Sequence, residues 1–181
     1  MSTILSYKIH TVTPYINWIY FFHAWGFQPR YAAIANIHGC DACRAMWLAS
    51  FPVEERNKAS EAMQLFKEAN RMLDVLDRDY EVRTIFKLCK ANSDGDNLVI
   101  EKAENQFMVF PLLRQQTPKK DGSPFLCLSD FIRPLSSGIP DTLGAFASSI
   151  DADMEGLYEQ DPYKHLLVQT LSDRLAEAAT E

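Results

Sequence analysis

An α+β fold with a largely antiparallel sheet flanked by helices is predicted by three features of the 181-residue chain. Helical patterns come first, short alternating segments divided by turn residues follow, and one strong helix closes the sequence. The strand candidates succeed one another in hairpin fashion, without the long crossovers that parallel pairing needs. The composition is 47% apolar and 23% charged, ordinary for a soluble globular protein, and this length defaults to one domain with a sizeable core.

In chain order, Ile4 to Val12 mixes β-branched and polar residues and reads as a short strand or an extended lead-in, closed by Pro14. Tyr15 to Phe27 is aromatic at nearly every turn and free of formal charge. Trp18, Phe21, Phe22 and Trp25 share one helical face there, as in a helix packed into a core. Gly26 and Pro29 break that pattern, and Ala42 to Ala49 suits a short helix before Phe51-Pro52. The longest helix is expected from about Glu54 to Tyr80, with Ala59, Met63, Phe66, Leu73, Leu76 and Tyr80 facing inward. At 1.5 Å per residue it would span roughly 40 Å.

Val82 to Ala91 alternates, NSDGDN supplies a turn with a glycine for positive φ, and LVIE resumes the sheet. Gln106 to Leu113 is a third strand candidate, and RQQTPKKDGSP an exposed basic loop. Phe125 to Pro134 reads as a buried strand, and TLGAFASSI as another with a small-residue interior. The closing stretch, Asp161 to Glu181, opens with an N-cap aspartate and a proline at the first helical position. Tyr163, Leu167, Thr170, Leu171, Arg174, Leu175 and Ala178 form its inward stripe. Asp173 and Glu177 stand together on the flank beside Leu166. Two carboxylates four residues apart on such a border suit a cleft wall, although a solvated acidic edge is the commoner meaning. No C-cap glycine or proline follows, so the helix is expected to run to the last residue.

A net charge of −6 excludes the basic face that nucleic-acid binding requires. The balance is uneven. From Asp151 onward eight acids oppose Lys164 and Arg174, which accounts for the whole excess. No apolar run reaches membrane-spanning length, and MSTILSYKIHT has no signal-peptide pattern, so a cytoplasmic protein with reduced thiols is expected.

No catalytic constellation is visible. His38, Cys40 and Cys43 in HGCDAC have the spacing of half a zinc site or a redox pair. Cys89 and Cys127 stand alone and no second pair exists, so incidental cysteines and no metal are expected. Gly95 comes too early in NSDGDN for a calcium loop, and no glutamate closes it. Arg114, Gln115 and Gln116 suit a solvated strand end, the alternative being hydrogen bonds to a partner or ligand.

The ordered succession YINWIYFFHAWG, LFKEANRMLD, IFKLCKANSDGDN, LLRQQT, CLSDFI, LGAFA and DPYKHLLVQTLSDRLAEA resembles the activation domain of cobalamin-dependent methionine synthase, from about Tyr15 to Ala178. The resemblance implies a curved single domain on a twisted antiparallel sheet that binds S-adenosylmethionine. It implies closure over a separate cobalamin-binding domain during reductive remethylation of cob(II)alamin. The electron would come from flavodoxin or a flavoprotein reductase. By position, Glu177 matches a glutamate that contacts S-adenosylmethionine, and Asp173 an aspartate that receives a histidine released from cobalt. Asn17 stands where the family pattern Tyr-Ile-Asp-Trp has a ligand-binding aspartate; it keeps an acceptor oxygen and loses the charge. The family's main ligand loop, Arg-Pro-x-x-Gly-Tyr-Pro, lies downstream of the DRLAEA helix. Residues 1–181 therefore read as the domain cut short at its C-terminus, expected to bind the ligand weakly or not at all.

Overall fold

Apolar residues at helical spacing dominate both ends of the chain, and the middle alternates. A computed structural model, which describes residues 3–104 and 106–181, divides accordingly into two compact units. One comprises Ile4–Ile85 with Ser148–Glu181 and is mainly helical; the other is formed by Phe86–Ala147, with Thr3, and is mainly sheet.

In chain order the elements are β1 (Thr3–Lys8), α1 (Ile9–Val12), α2 (Trp18–Ala24), α3 (Asp41–Ala49), α4 (Arg56–Leu76), β2 (Glu81–Asp94), β3 (Asn97–Ala103), β4 (Gln106–Pro111), β5 (Asp141–Ile150), α5 (Ala152–Glu155) and α6 (Pro162–Ala178). Short 3-10 turns fill several of the gaps. The strand order is β1-β2-β3-β4, with β5 also paired to β2.

The helical unit holds the entire core cluster. Helix α4 buries Ala59, Ala62, Met63, Leu65, Ala69, Met72, Leu73 and Leu76 along one stripe. It is shorter than its periodicity predicts. Residues Val53–Glu55 form a separate 3-10 turn after Pro52, and the Tyr80 amide closes the last turn on the Leu76 carbonyl before β2 begins. The first predicted strand also divides. Ile9 and Val12 are both buried three residues apart, a helical spacing, so the chain coils into α1 after Lys8. The predicted α2 face is confirmed: Phe21 and Phe22 are fully buried, with Trp18 and Trp25 packed against the core. Edge-to-face contacts run from Phe22 through Phe27 to Tyr31, which stacks on Phe51.

In the sheet unit β2 and β3 pair antiparallel, with Asp94 opposite Asn97 across a two-residue turn. Gly95 has φ +57° and Asp96 a negative φ, the type II′ arrangement that wants glycine at the first central position. Strands β3 and β4 continue antiparallel with Leu98 opposite Phe110, and every residue of β4 is exposed. The predicted buried strand at Phe125–Pro134 is not a strand. The Cys127 amide donates to Asp130 Oδ2 at 2.8 Å, which turns Leu128–Phe131 into a 3-10 helix, and only Cys127 and Ser129 in it are buried.

Helix α6 starts as its cap predicts, with the Asp161 carboxylate accepting from the Lys164 amide at 3.2 Å. It buries Leu167, Val168, Thr170, Leu171, Ser172, Leu175 and Ala178. It ends at Ala178 rather than running through Glu181, its last turn closed by the Ala179 amide on Leu175 O and the Thr180 hydroxyl on Glu177 O.

Candidate functional site

Helices α2 and α6 run side by side in opposite directions. Trp25 at the end of α2 meets Tyr163 at the start of α6, their rings 5.4 Å apart, while the Arg174 guanidinium lies 5.8 Å from the Tyr20 ring. The first turn of α2, with Tyr20, thus lies against the C-terminal part of α6, with Arg174.

Asn17 is the N-cap of α2, its Oδ1 accepting from the Ile19 amide at 3.1 Å. Its side-chain oxygen is therefore already used locally. Glu177 is exposed and its Oε2 accepts from Arg174 at 2.5 Å. Arg174, 23% exposed, thus bridges a carboxylate on its own helix and an aromatic face on α2. The sequence counts it within the inward stripe; its i, i+3 spacing to Glu177 is the signal of the pair. Asp173 is exposed and has no hydrogen-bond or ion-pair partner among the described residues. A cavity of about 210 Å³ opens beside the end of α6, bounded by Tyr7, Thr11, Tyr15, Ala178 and Glu181.

Two other sequence candidates resolve differently. Arg114 is no solvated strand end. Its guanidinium donates to Asp130 through two bonds of 2.7 Å, to Asp96 at 2.7 and 3.0 Å, and to the Phe125 carbonyl at 2.7 Å. It staples the β2–β3 turn to the loop before the 3-10 helix, and Gln115 adds backbone and side-chain bonds to Leu126. Asp130 and then Asp96 raise the Arg114 pKa further, while Arg114 and then the Cys127 amide hold the Asp130 carboxyl down at about 2.

Cys40 is the N-cap of α3, its Sγ accepting from the Cys43 amide at 3.3 Å. Hydrogen bonding to the Cys43 thiol and then to His38 lowers the Cys40 thiol to about 7, and the Cys43 thiol is raised by the same pairing. Cys89 and Cys127 are free cysteines outside this group.

Mixed helices, an antiparallel sheet that does not close, and an acid–base pair on an exposed helix flank define an α+β module with a polar face rather than a catalytic triad or nucleotide loop. The chain belongs to the activation domain family of vitamin B12-dependent methionine synthase, whose profile matches residues 8–181. It is also similar to the crystal structure of the MetH reactivation domain bound to AdoHcy, with 33% identity and a TM-score of 0.71 over 99% of this chain. The match covers 53% of that chain, so the present sequence spans about half its length. No described helix is long and apolar enough to cross a membrane.

Proposed function

We propose that the chain acts within a cobalamin-dependent methionine synthase, a methyltransferase, as part of the domain supporting reductive remethylation of cob(II)alamin. S-adenosylmethionine supplies the methyl group and a flavodoxin-type protein or flavoprotein reductase the electron; cobalamin is held by a separate domain that docks here. The observation carrying this reading is the junction of α2 and α6, where Arg174 and Glu177 lie 2.5 Å apart and the guanidinium is 5.8 Å from the Tyr20 ring. The methionine end of the ligand has one ammonium and one carboxylate. A carboxylate and a guanidinium side by side complement both through charge-assisted hydrogen bonds. The AdoHcy-bound relative supports the ligand class. Asp173, exposed and unpartnered, is suited to receive an imidazole from the docking domain, since an ionised carboxylate accepts its N–H and favours its cationic form.

The test is Glu177→Gln in the methionine synthase polypeptide that contains this chain, with AdoHcy binding followed by calorimetry. Losing one charge-assisted contact costs about 1.5–3 kcal/mol, a tenfold or greater weakening. Unchanged affinity removes Glu177 from the site.

A second reading has its own observation. Asn17 is uncharged and its oxygen caps α2, so the face also suits a module that docks on the cobalamin-binding domain without holding S-adenosylmethionine. Capture of that domain that is indifferent to S-adenosylmethionine would favour it.

A further inference from the structure

We propose that His38, Cys40 and Cys43 form a binding site for a zinc-class metal ion. The three residues offer one imidazole nitrogen and two sulfurs, all within 4.8 Å of one another. Tetrahedral zinc with ordinary Zn–S and Zn–N bonds places such atoms about 3.5–3.8 Å apart, so side-chain rotation of about 1 Å closes the set.

The backbone prepares this convergence. Cys40 is extended, at φ −77° and ψ 155°, while Cys43 lies in the first turn of the nine-residue α3. That change of direction places both sulfurs at the same helix end, with the Cys43 amide donating to Cys40 Sγ at 3.3 Å. An amide bond to sulfur leaves the remaining lone pairs of a thiolate available to a metal. The chain before α3 brings His38 to the same end, so the three donors that the HGCDAC spacing offers meet in space.

Burial separates these thiols from a core pair. Cys40 and Cys43 are half-buried and His38 is exposed, whereas Cys127 is 2% exposed. An ion therefore has access, and three protein ligands leave a fourth position for water or an external thiol. The neighbouring carboxylate, Asp41, lies outside this set; it is exposed, and its Oδ1 accepts from Arg44 at 3.4 Å. A set of two sulfurs and one imidazole selects zinc-class ions over magnesium or calcium. None of this depends on the ligand-binding reading of α2 and α6.

Cobalt(II), titrated anaerobically into the reduced full chain, is the probe. The expected result is one equivalent bound with tetrahedral thiolate-to-cobalt absorption, displaced by one equivalent of zinc. Cys40→Ser and Cys43→Ser each abolish the thiolate band, and His38→Ala weakens binding by about tenfold or more. Cys127→Ser leaves the spectrum unchanged, and tryptophan fluorescence reports whether each variant is folded. Absence of a thiolate band in the reduced wild-type chain overturns the proposal. So does a band that survives both cysteine substitutions, or a Cys40–Cys43 disulfide forming with oxidised glutathione in a chain that takes up no metal when reduced.

Discussion

Leu171→Ala tests whether α6 is seated as its burial implies, and hence whether Asp173, Arg174 and Glu177 stand on a fixed scaffold. Leu171 is fully buried, in the middle of a stripe that runs from Leu167 to Ala178. Transfer of a buried leucine from water accounts for about 1.5–3 kcal/mol. The residual cavity brings the expected destabilisation to about 2.7–5 kcal/mol. With an m-value of about 2 kcal/mol/M, the urea midpoint falls by about 1.3–2.5 M. The three tryptophans, Trp18, Trp25 and Trp47, all belong to the helical unit, so their fluorescence reports that unit alone. Asp173→Asn and Glu177→Gln, on the exposed flank of the same helix, should stay within about 0.5 kcal/mol of wild type. If Leu171→Ala shifted the curve no more than these two do, the packing account of α6 would be refuted.

Three further outcomes follow from side chains outside that face. The Cys127 amide proton, bonded to Asp130, should report a carboxyl titrating near pH 2, moving toward the ordinary 3.8 in Arg114→Gln. Because that carboxyl is lowered on folding, its stabilisation of the loop is complete above about pH 4 and is lost as pH falls through about 2; a wild-type midpoint at 3.8 contradicts this. Burial and then the bond to Glu68 raise the Tyr163 hydroxyl pKa, so Tyr163→Phe should leave tyrosinate absorbance at about pH 11 unchanged. Loss of one full tyrosinate signal in that variant argues the opposite. Gly95→Ala should destabilise the β2–β3 hairpin by about 1–2 kcal/mol and Gly95→Asn by less, measured as amide exchange along β3; equal exchange in the alanine variant would contradict the turn assignment.

What was legible in the sequence was local. Asp161-Pro162 marks the start of α6, the aromatic periodicity marks the buried face of α2, and Gly95 marks the hairpin turn, because each signal and its consequence lie within a few residues. The segment at Phe125–Pro134 misleads for a related reason. Its apolar residues suggest a strand, but the Cys127 amide and the Asp130 carboxylate close a turn first, leaving Leu128 and Phe131 exposed. Arg114 could not be assigned from its neighbours, since Asp96 and Asp130 stand 18 and 16 residues away on either side. The candidate site divides in the same way. Helical spacing sets Asp173 and Glu177 on one flank, where a solvated acidic edge is the commoner meaning, and only the family resemblance singles them out. The ties from Arg174 to Tyr20 and from Tyr163 to Glu68 exist only once α2, α4 and α6 have packed.

The sheet unit buries only Ala91, Leu98, Cys127 and Ser129 among its described residues, while the core cluster lies wholly in the helical unit. Heat-capacity change on unfolding follows the apolar area exposed, so most of it is expected to come from the helical unit. Hydrophobic stabilisation fades on cooling, and the helical unit is where the buried apolar core lies. Cooling is therefore expected to tell first on the helices that carry Asn17, Asp173 and Glu177, measured as amide exchange in α2 and α6 at low temperature.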